Sequence, residues 1–68
     1  MTEVEVESLK ERIIALRVEH RDLDDVISRI SDMPDVNELE LRRLKKRKLY
    51  LKDHIFMLER QLTPDIPA

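Results

Sequence analysis

The sequence contains no cysteine, no glycine and no tryptophan, and its only aromatic residues are one tyrosine and one phenylalanine. Without cysteine the chain has neither a disulfide framework nor a thiolate metal site. Without glycine, and with so few aromatic rings, it has little from which to build a phosphate-cradling loop, a tight β-turn or a base-stacking platform. These absences predict a helical protein.

Length and charge set further limits. The chain has 68 residues, enough for one domain at most, and a core of this size rarely supplies more than about 3–5 kcal/mol of net stability. Its formal net charge of -2 argues against indiscriminate binding of polyanions by the whole chain. The acidic N-terminus MTEVEVESLK lacks a long apolar run, which predicts neither a signal peptide nor a membrane span. We therefore expect a cytoplasmic protein that makes no membrane contact.

Apolar residues recur at alternating steps of three and four in two segments, which is the spacing of a coiled-coil seam. One position in each seam is polar, since His20 interrupts the first and Lys48 the second. The first seam consists of Val6, Leu9, Ile13, Leu16, Leu23, Ile27 and Ile30, and the second of Leu41, Leu44, Leu51, Ile55, Leu58 and Leu62.

The two seams predict two helices within a single domain, residues 1–68. Pro34 disfavours helical geometry at the preceding residue, so the chain turns there. We expect helix one over about residues 3–31, a turn at about 32–35, helix two over about 36–62, and a short disordered tail at 63–68.

Capping residues refine the helix ends. Asp35 followed by Glu38 forms an acidic capping box that predicts a start of helix two near Val36. For helix one, Thr2 with Glu5 and Ser8 with Glu11 are both suitable, and Thr2 is preferred because it keeps Val6 inside the seam. These candidate pairs are read from the printed sequence.

Two long helices joined by a short turn lie back to back. The predicted fold is therefore all-α, an antiparallel two-helix hairpin with coiled-coil-like packing. The helix register that closes the apolar layers also brings charged flanking positions together. The predicted flanking contacts are Asp24 with Lys45, Lys10 with Glu59, and the repulsive pair of Arg17 and Lys52.

A second apolar stripe lies outside the seams, and an apolar surface of this size on so small a protein marks a partner contact. An isolated hairpin is marginal, because the entropy lost on ordering rivals the gain from burying its seam. We therefore expect a non-enzymatic interaction or oligomerisation module, either a homo-oligomer in which two hairpins pair into a four-helix assembly or one that docks on another protein. The predicted interface comprises Leu49, Tyr50, Phe56 and Met57 on helix two, with Ile14 and Val18 on helix one.

The stretch LRRLKKRKLYLKDHI, residues 41–55, is rich in cations, and two interpretations of it remain open. Acidic residues on helix one lie opposite, so the cations can be paired within the hairpin or solvated. The alternative is a face that binds nucleic acid or another acidic surface. The residues of that face are Arg42, Arg43, Lys46 and Arg47.

His20 and Lys48 admit a catalytic interpretation as an acid and base pair and a structural one as polar seam residues that select the register. We predict the structural role, because a hairpin encloses no pocket at either position, while Asp24 can accept a hydrogen bond from the His20 ring. A metal site would need His20 and His54 with carboxylates at no recognised spacing, so neither metal nor cofactor is predicted. No nucleophile, base and orienting group are arranged for an enzyme with a small-molecule substrate.

The segments HRDLDDVI and LKKRKLYLKDHI resemble the YdcH-like family of small bacterial helical-hairpin proteins, and the likeness extends over nearly the whole chain. It implies a small cytosolic bacterial protein from a family without an established biochemical function. His54 departs from the family pattern, in which an acidic residue is commoner. The resemblance rests on His20, Leu23, Asp24, Lys45, Lys46, Lys48, Leu49, Leu51, Lys52 and Asp53.

Overall fold

The computed structural model describes residues 1–62, which form two α-helices and no strand. Helix α1 is Glu3–Ser31 and helix α2 is Glu38–Leu62, and the two helices pack along each other. The predicted all-α antiparallel hairpin is confirmed. The predicted tail at 63–68 lies outside the described residues.

The start of α1 is capped by Thr2, as predicted. Thr2 has extended backbone geometry, and its hydroxyl accepts a hydrogen bond of 3.2 Å from the Glu5 amide. The Thr2 carbonyl also accepts from the Val6 amide at 3.0 Å. The cap therefore leaves Val6 inside the helix, where the seam requires it.

The start of α2 differs from the prediction. The helix begins at Glu38 rather than near Val36, and Asn37 caps it in place of Asp35. The Asn37 Oδ1 accepts hydrogen bonds of 3.1 Å from the amides of both Leu39 and Glu40. Asparagine is among the most favourable capping residues, because its short side chain satisfies amides that have no intrahelical partner.

The seam forms the core of the hairpin. Six of its residues are buried, Leu51 most completely with 2% of its surface exposed, and every other apolar seam residue is half-buried. His20 and Lys48, which interrupt the two seams, are also half-buried. The buried seam residues are Ile13, Leu16, Ile27, Leu41, Leu51 and Leu58.

Ion pairs join the flanks of the helices, but not with the predicted partners. Asp24 pairs with Lys48 at 2.9 Å rather than with Lys45. Arg17, expected to face Lys52 unfavourably, lies 3.0 Å from a carboxylate oxygen of Glu59. The reason is geometric, since a flanking side chain can reach a residue on either side of its own layer. The electrostatic contacts along the flanks of the hairpin are thus more favourable than predicted.

Candidate interaction surfaces

The outer stripe, defined as Leu49, Tyr50, Phe56 and Met57, lies on α2 outside the seam. Its members recur at a spacing of seven, so they share one side of the helix while the neighbouring seam residues turn inward. All four are exposed, at 59%, 63%, 63% and 61% respectively. Residues 1–62 therefore leave most of this apolar surface open to solvent.

Neighbouring side chains on α2 contact both aromatic rings of the outer stripe. The ring of Tyr50 lies 5.9 Å from that of His54 with an angle of 53° between their planes. The guanidinium of Arg60 lies over the Phe56 ring at 6.0 Å from its centre, which is cation–π geometry. These contacts bias the orientations in which the rings face solvent.

On α1 the predicted counterpart of the stripe is also exposed, Ile14 at 61% and Val18 at 54%. Ile14 lines a hollow of about 380 Å³ together with Arg17, Glu59 and other residues of both helices. Its exposed surface therefore adjoins α2 and is continuous with the flank where the Arg17–Glu59 ion pair joins the helices.

The cations of α2 divide into paired and unpaired groups. Arg47, which the sequence placed in the ligand-binding group, is bonded to Glu19 at 2.6 Å across the hairpin. Arg42, Arg43 and Lys46 are exposed, and the described part of the chain gives them no ion pair. We call these three residues the basic face. Arg47 is excluded from it because helix-to-helix pairing already neutralises its charge.

The polar seam positions meet on one flank. The Lys48 ammonium binds Asp24 Oδ1 at 2.9 Å, and this hydrogen bond, together with the charge of Lys48, lowers the pKa of Asp24 below its ordinary value of 3.8. The charge of His20 contributes a smaller lowering of the same pKa. Asp24 therefore links Lys48 to α1, whereas the hydrogen bond expected from the His20 ring to Asp24 is not formed in the described residues.

A hollow of about 600 Å³, the seam hollow, lies beside these residues, although no pocket was expected there. Its wall includes both His20 and Lys48, with Lys52 and Phe56 of α2. The expectation considered only enclosed cavities, whereas this hollow is open to solvent along the flank of the hairpin. It lies where His20 and Lys48 occupy positions of the apolar seams.

Residues 1–62 contain no group of three or more histidine and carboxylate side chains arranged to hold a metal ion. Over the same residues, neither α1 nor α2 has an apolar segment of the length that a membrane crossing needs.

Two contacts of the flanks were missed by sequence reasoning, namely Arg17 with Glu59 and Arg47 with Glu19. A signal for both exists in the sequence, because these residues occupy flanking positions of the two heptad repeats. Each of these side chains can reach either of two residues of the other helix that lie one heptad apart. The heptad spacing alone does not decide between them.

Comparison with known proteins gives one match. Residues 13–59 match the family model described as DUF465, protein of unknown function. YdcH-like proteins belong to this family, so the resemblance noted from the sequence is confirmed. No curated protein matches the chain, and no solved structure does.

Proposed function

The chain belongs to the DUF465 family of proteins of unknown function, and we propose that it acts as a non-enzymatic helical interaction module in the bacterial cytoplasm. Its working surface is the outer stripe of α2, and its partner is another helical surface. The module needs no cofactor and no small-molecule substrate.

The observation that supports this function is the exposure of four large apolar side chains on one side of α2. Burying a fully exposed side chain of this kind contributes about 2 kcal/mol. Because these four are about 60% exposed, their burial contributes about 5 kcal/mol together, part of the roughly 8 kcal/mol of a micromolar complex. The loss of rotational and translational freedom on association opposes this gain. A partner that also contacts the flank of the hairpin offsets that loss.

A structural role for the polar seam residues supports the non-enzymatic assignment. Lys48 and Asp24 are bonded to each other, so a structural link between the helices accounts for both groups. The seam hollow beside them is open, whereas catalysis benefits from a site that excludes water.

The proposed function is tested by placing a charge in the outer stripe. The protein and its Phe56→Asp variant are compared by analytical ultracentrifugation and by capture of partners from a bacterial lysate. Leu39→Asp is the matched control, because Leu39 is also an exposed apolar residue of α2, at 59%, outside the stripe. We expect association to be lost in Phe56→Asp and kept in Leu39→Asp. Association that survives Phe56→Asp unchanged would contradict the proposal.

The unpaired cations of the basic face support a second candidate function, the binding of nucleic acid or another acidic surface. Arg42, Arg43 and Lys46 lie together on the outside of α2 without an acidic partner in the described residues. A fluorescent RNA or DNA titration at two salt concentrations tests it, since phosphate contacts weaken steeply as salt rises. Absence of binding at low salt would remove this candidate.

A further inference from the structure

The hairpin is a single layer of helices. Its smallest dimension is 15 Å, close to the roughly 10–12 Å diameter of one helix with its side chains. It exposes 5978 Å², whereas a compact monomer of 8.2 kDa is expected to expose roughly 4,500 Å². Domains are usually built from at least two layers of secondary structure packed around one core. This hairpin has one broad face on each side, and no part of residues 1–62 covers either face.

One of these broad faces carries apolar residues from both helices. Ile14 of α1 lines the hollow beside the Arg17–Glu59 ion pair, and Phe56 of α2 lines the seam hollow. Glu59 borders both hollows, so Ile14 and Phe56 lie on the same side of the hairpin. We call this side the flank face.

The charges under the flank face are largely neutralised within the hairpin. Arg17 pairs with Glu59, and Lys48 pairs with Asp24, so ion pairs cross between the helices at two levels. Neutralised pairs are less costly to bring against another protein than isolated charges. The face also measures about 50 by 26 Å in outline, which exceeds the roughly 800 Å² that each partner buries in a standard interface.

Ile14 and Phe56 lie at nearly the same level along the hairpin. Ile14 shares its hollow with Glu59, and Phe56 is one helical turn from Glu59. A two-fold axis parallel to the helices keeps every residue at its own level while placing α1 of one copy over α2 of the other. Such an arrangement brings Ile14 of each copy against Phe56 of the other, and it closes on itself.

Charge favours this arrangement over one that places α2 on α2. Helix α1 carries more acidic than basic residues, whereas α2 carries more basic than acidic ones. Contact between two α2 helices would bring their basic faces and Lys52 into like-charge repulsion, whereas contact between α1 and α2 sets the more basic helix against the more acidic one. Lys52 lines the seam hollow without an ion pair in the described residues.

We infer that the flank face is covered by a second copy of this chain, in a two-fold four-helix bundle where Ile14 of each copy packs against Phe56 of the other. The inference rests on the proposed function, to which it adds the identity of the partner and the geometry of the contact. Four-helix bundles of antiparallel neighbours are a common way for amphipathic hairpins to complete a core.

Cross-linking through introduced cysteines tests the geometry, because the natural chain has none. Ile14→Cys and Phe56→Cys are prepared as separate proteins, one with a mass tag, and then mixed under mild oxidation. Both positions are more than half exposed, so neither change removes core packing. We expect a disulfide-linked dimer of the two variants that forms faster in the mixture than in either variant alone.

The control mixture is Ile14→Cys with Leu39→Cys, because Leu39 lies at the turn end of α2, far along the helix from Phe56. Equal cross-linking in this mixture, or preferential cross-linking of Phe56→Cys with itself, would overturn the inference. So would a wild-type protein that sediments as a monomer. If that monomer still captures a different protein in a Phe56-dependent manner, the second copy is wrong while the interaction module stands.

Discussion

The Lys48 ammonium lies 2.9 Å from Asp24 Oδ1, so a cation at a seam position of α2 is joined to an acid on the flank of α1. The side chain of Lys48 is 34% exposed and that of Asp24 is 58% exposed. Solvent screens a pair this exposed, so it adds little stability. Its principal effect is to select one register of the two helices, because a slipped register separates the partners.

Replacing Lys48, the cation at the seam position, tests whether its ion pair contributes little to stability. Lys48→Leu fills the seam with an apolar side chain, and the burial gained outweighs the ion pair lost, so we expect the free energy of unfolding to rise by about 1 kcal/mol. Urea unfolding followed by circular dichroism measures the change. Lys46→Leu, at an exposed unpaired position, is the control and is expected to shift stability by less than about 0.5 kcal/mol. A clear loss of stability in Lys48→Leu would show that the ion pair outweighs the burial.

Acid sensitivity follows from the lowered pKa of Asp24. Lys48 holds the folded-state pKa below the ordinary value of 3.8, so the unfolded chain takes up this proton first. The stability contributed by Asp24 is complete above that ordinary value and is lost as pH falls through the lowered one.

We therefore expect Asp24→Asn to lose less stability on acidification below pH 3.8 than the natural protein loses. A carboxyl-detected NMR titration follows Asp24 directly, and in Lys48→Met its pKa should return toward the ordinary value. An Asp24 pKa that does not change in Lys48→Met would rule out Lys48 as the cause.

Two leucines of α2 provide a matched test of the core. Leu51 is 2% exposed and Leu39 is 59% exposed. Leu51→Ala should lower the free energy of unfolding by about 2–4 kcal/mol, because it leaves a cavity in the seam. Leu39→Ala should change it by less than about 0.5 kcal/mol. Similar losses in the two variants would mean that the seam is not the core.

The cap of α2 gives a test that separates two neighbouring candidates. Asn37 accepts hydrogen bonds from two helix amides at 3.1 Å, so Asn37→Ala should cost about 1 kcal/mol. Asp35→Ala, at the residue that the sequence favoured as the cap, should cost clearly less. Chemical denaturation of both variants ranks them, and the reverse order would return the cap to Asp35.

The hairpin itself was predictable because its signals are periodic. Each apolar seam residue occupies a repeat position, and all of them are buried or half-buried. The Thr2 cap could be chosen because only it places Val6 inside the seam. The cap of α2 could not be chosen from the sequence, because Asp35 and Asn37 are both good capping residues. The path of the backbone after Pro34 decides between them.

The details of the flanks lay beyond the sequence for a different reason. Arg17 can reach a residue on either side of its layer, and only the packed helices show that it meets Glu59 instead of Lys52. The seam hollow was not predicted. The heptad repeat shows that His20 and Lys48 are polar residues at seam positions, but it does not show whether neighbouring side chains fill the space beside them. Periodicity predicts which side of a helix a residue occupies, and packing decides its partner.

Sedimentation equilibrium of the natural protein, beside Phe56→Asp and Leu39→Asp, tests the central claim that a second copy covers the exposed apolar surface. The account predicts a dimer for the natural chain and for Leu39→Asp, and a monomer for Phe56→Asp at the same concentrations. A natural protein that remains monomeric up to millimolar concentration, or a Phe56→Asp variant that dimerises equally well, would contradict it.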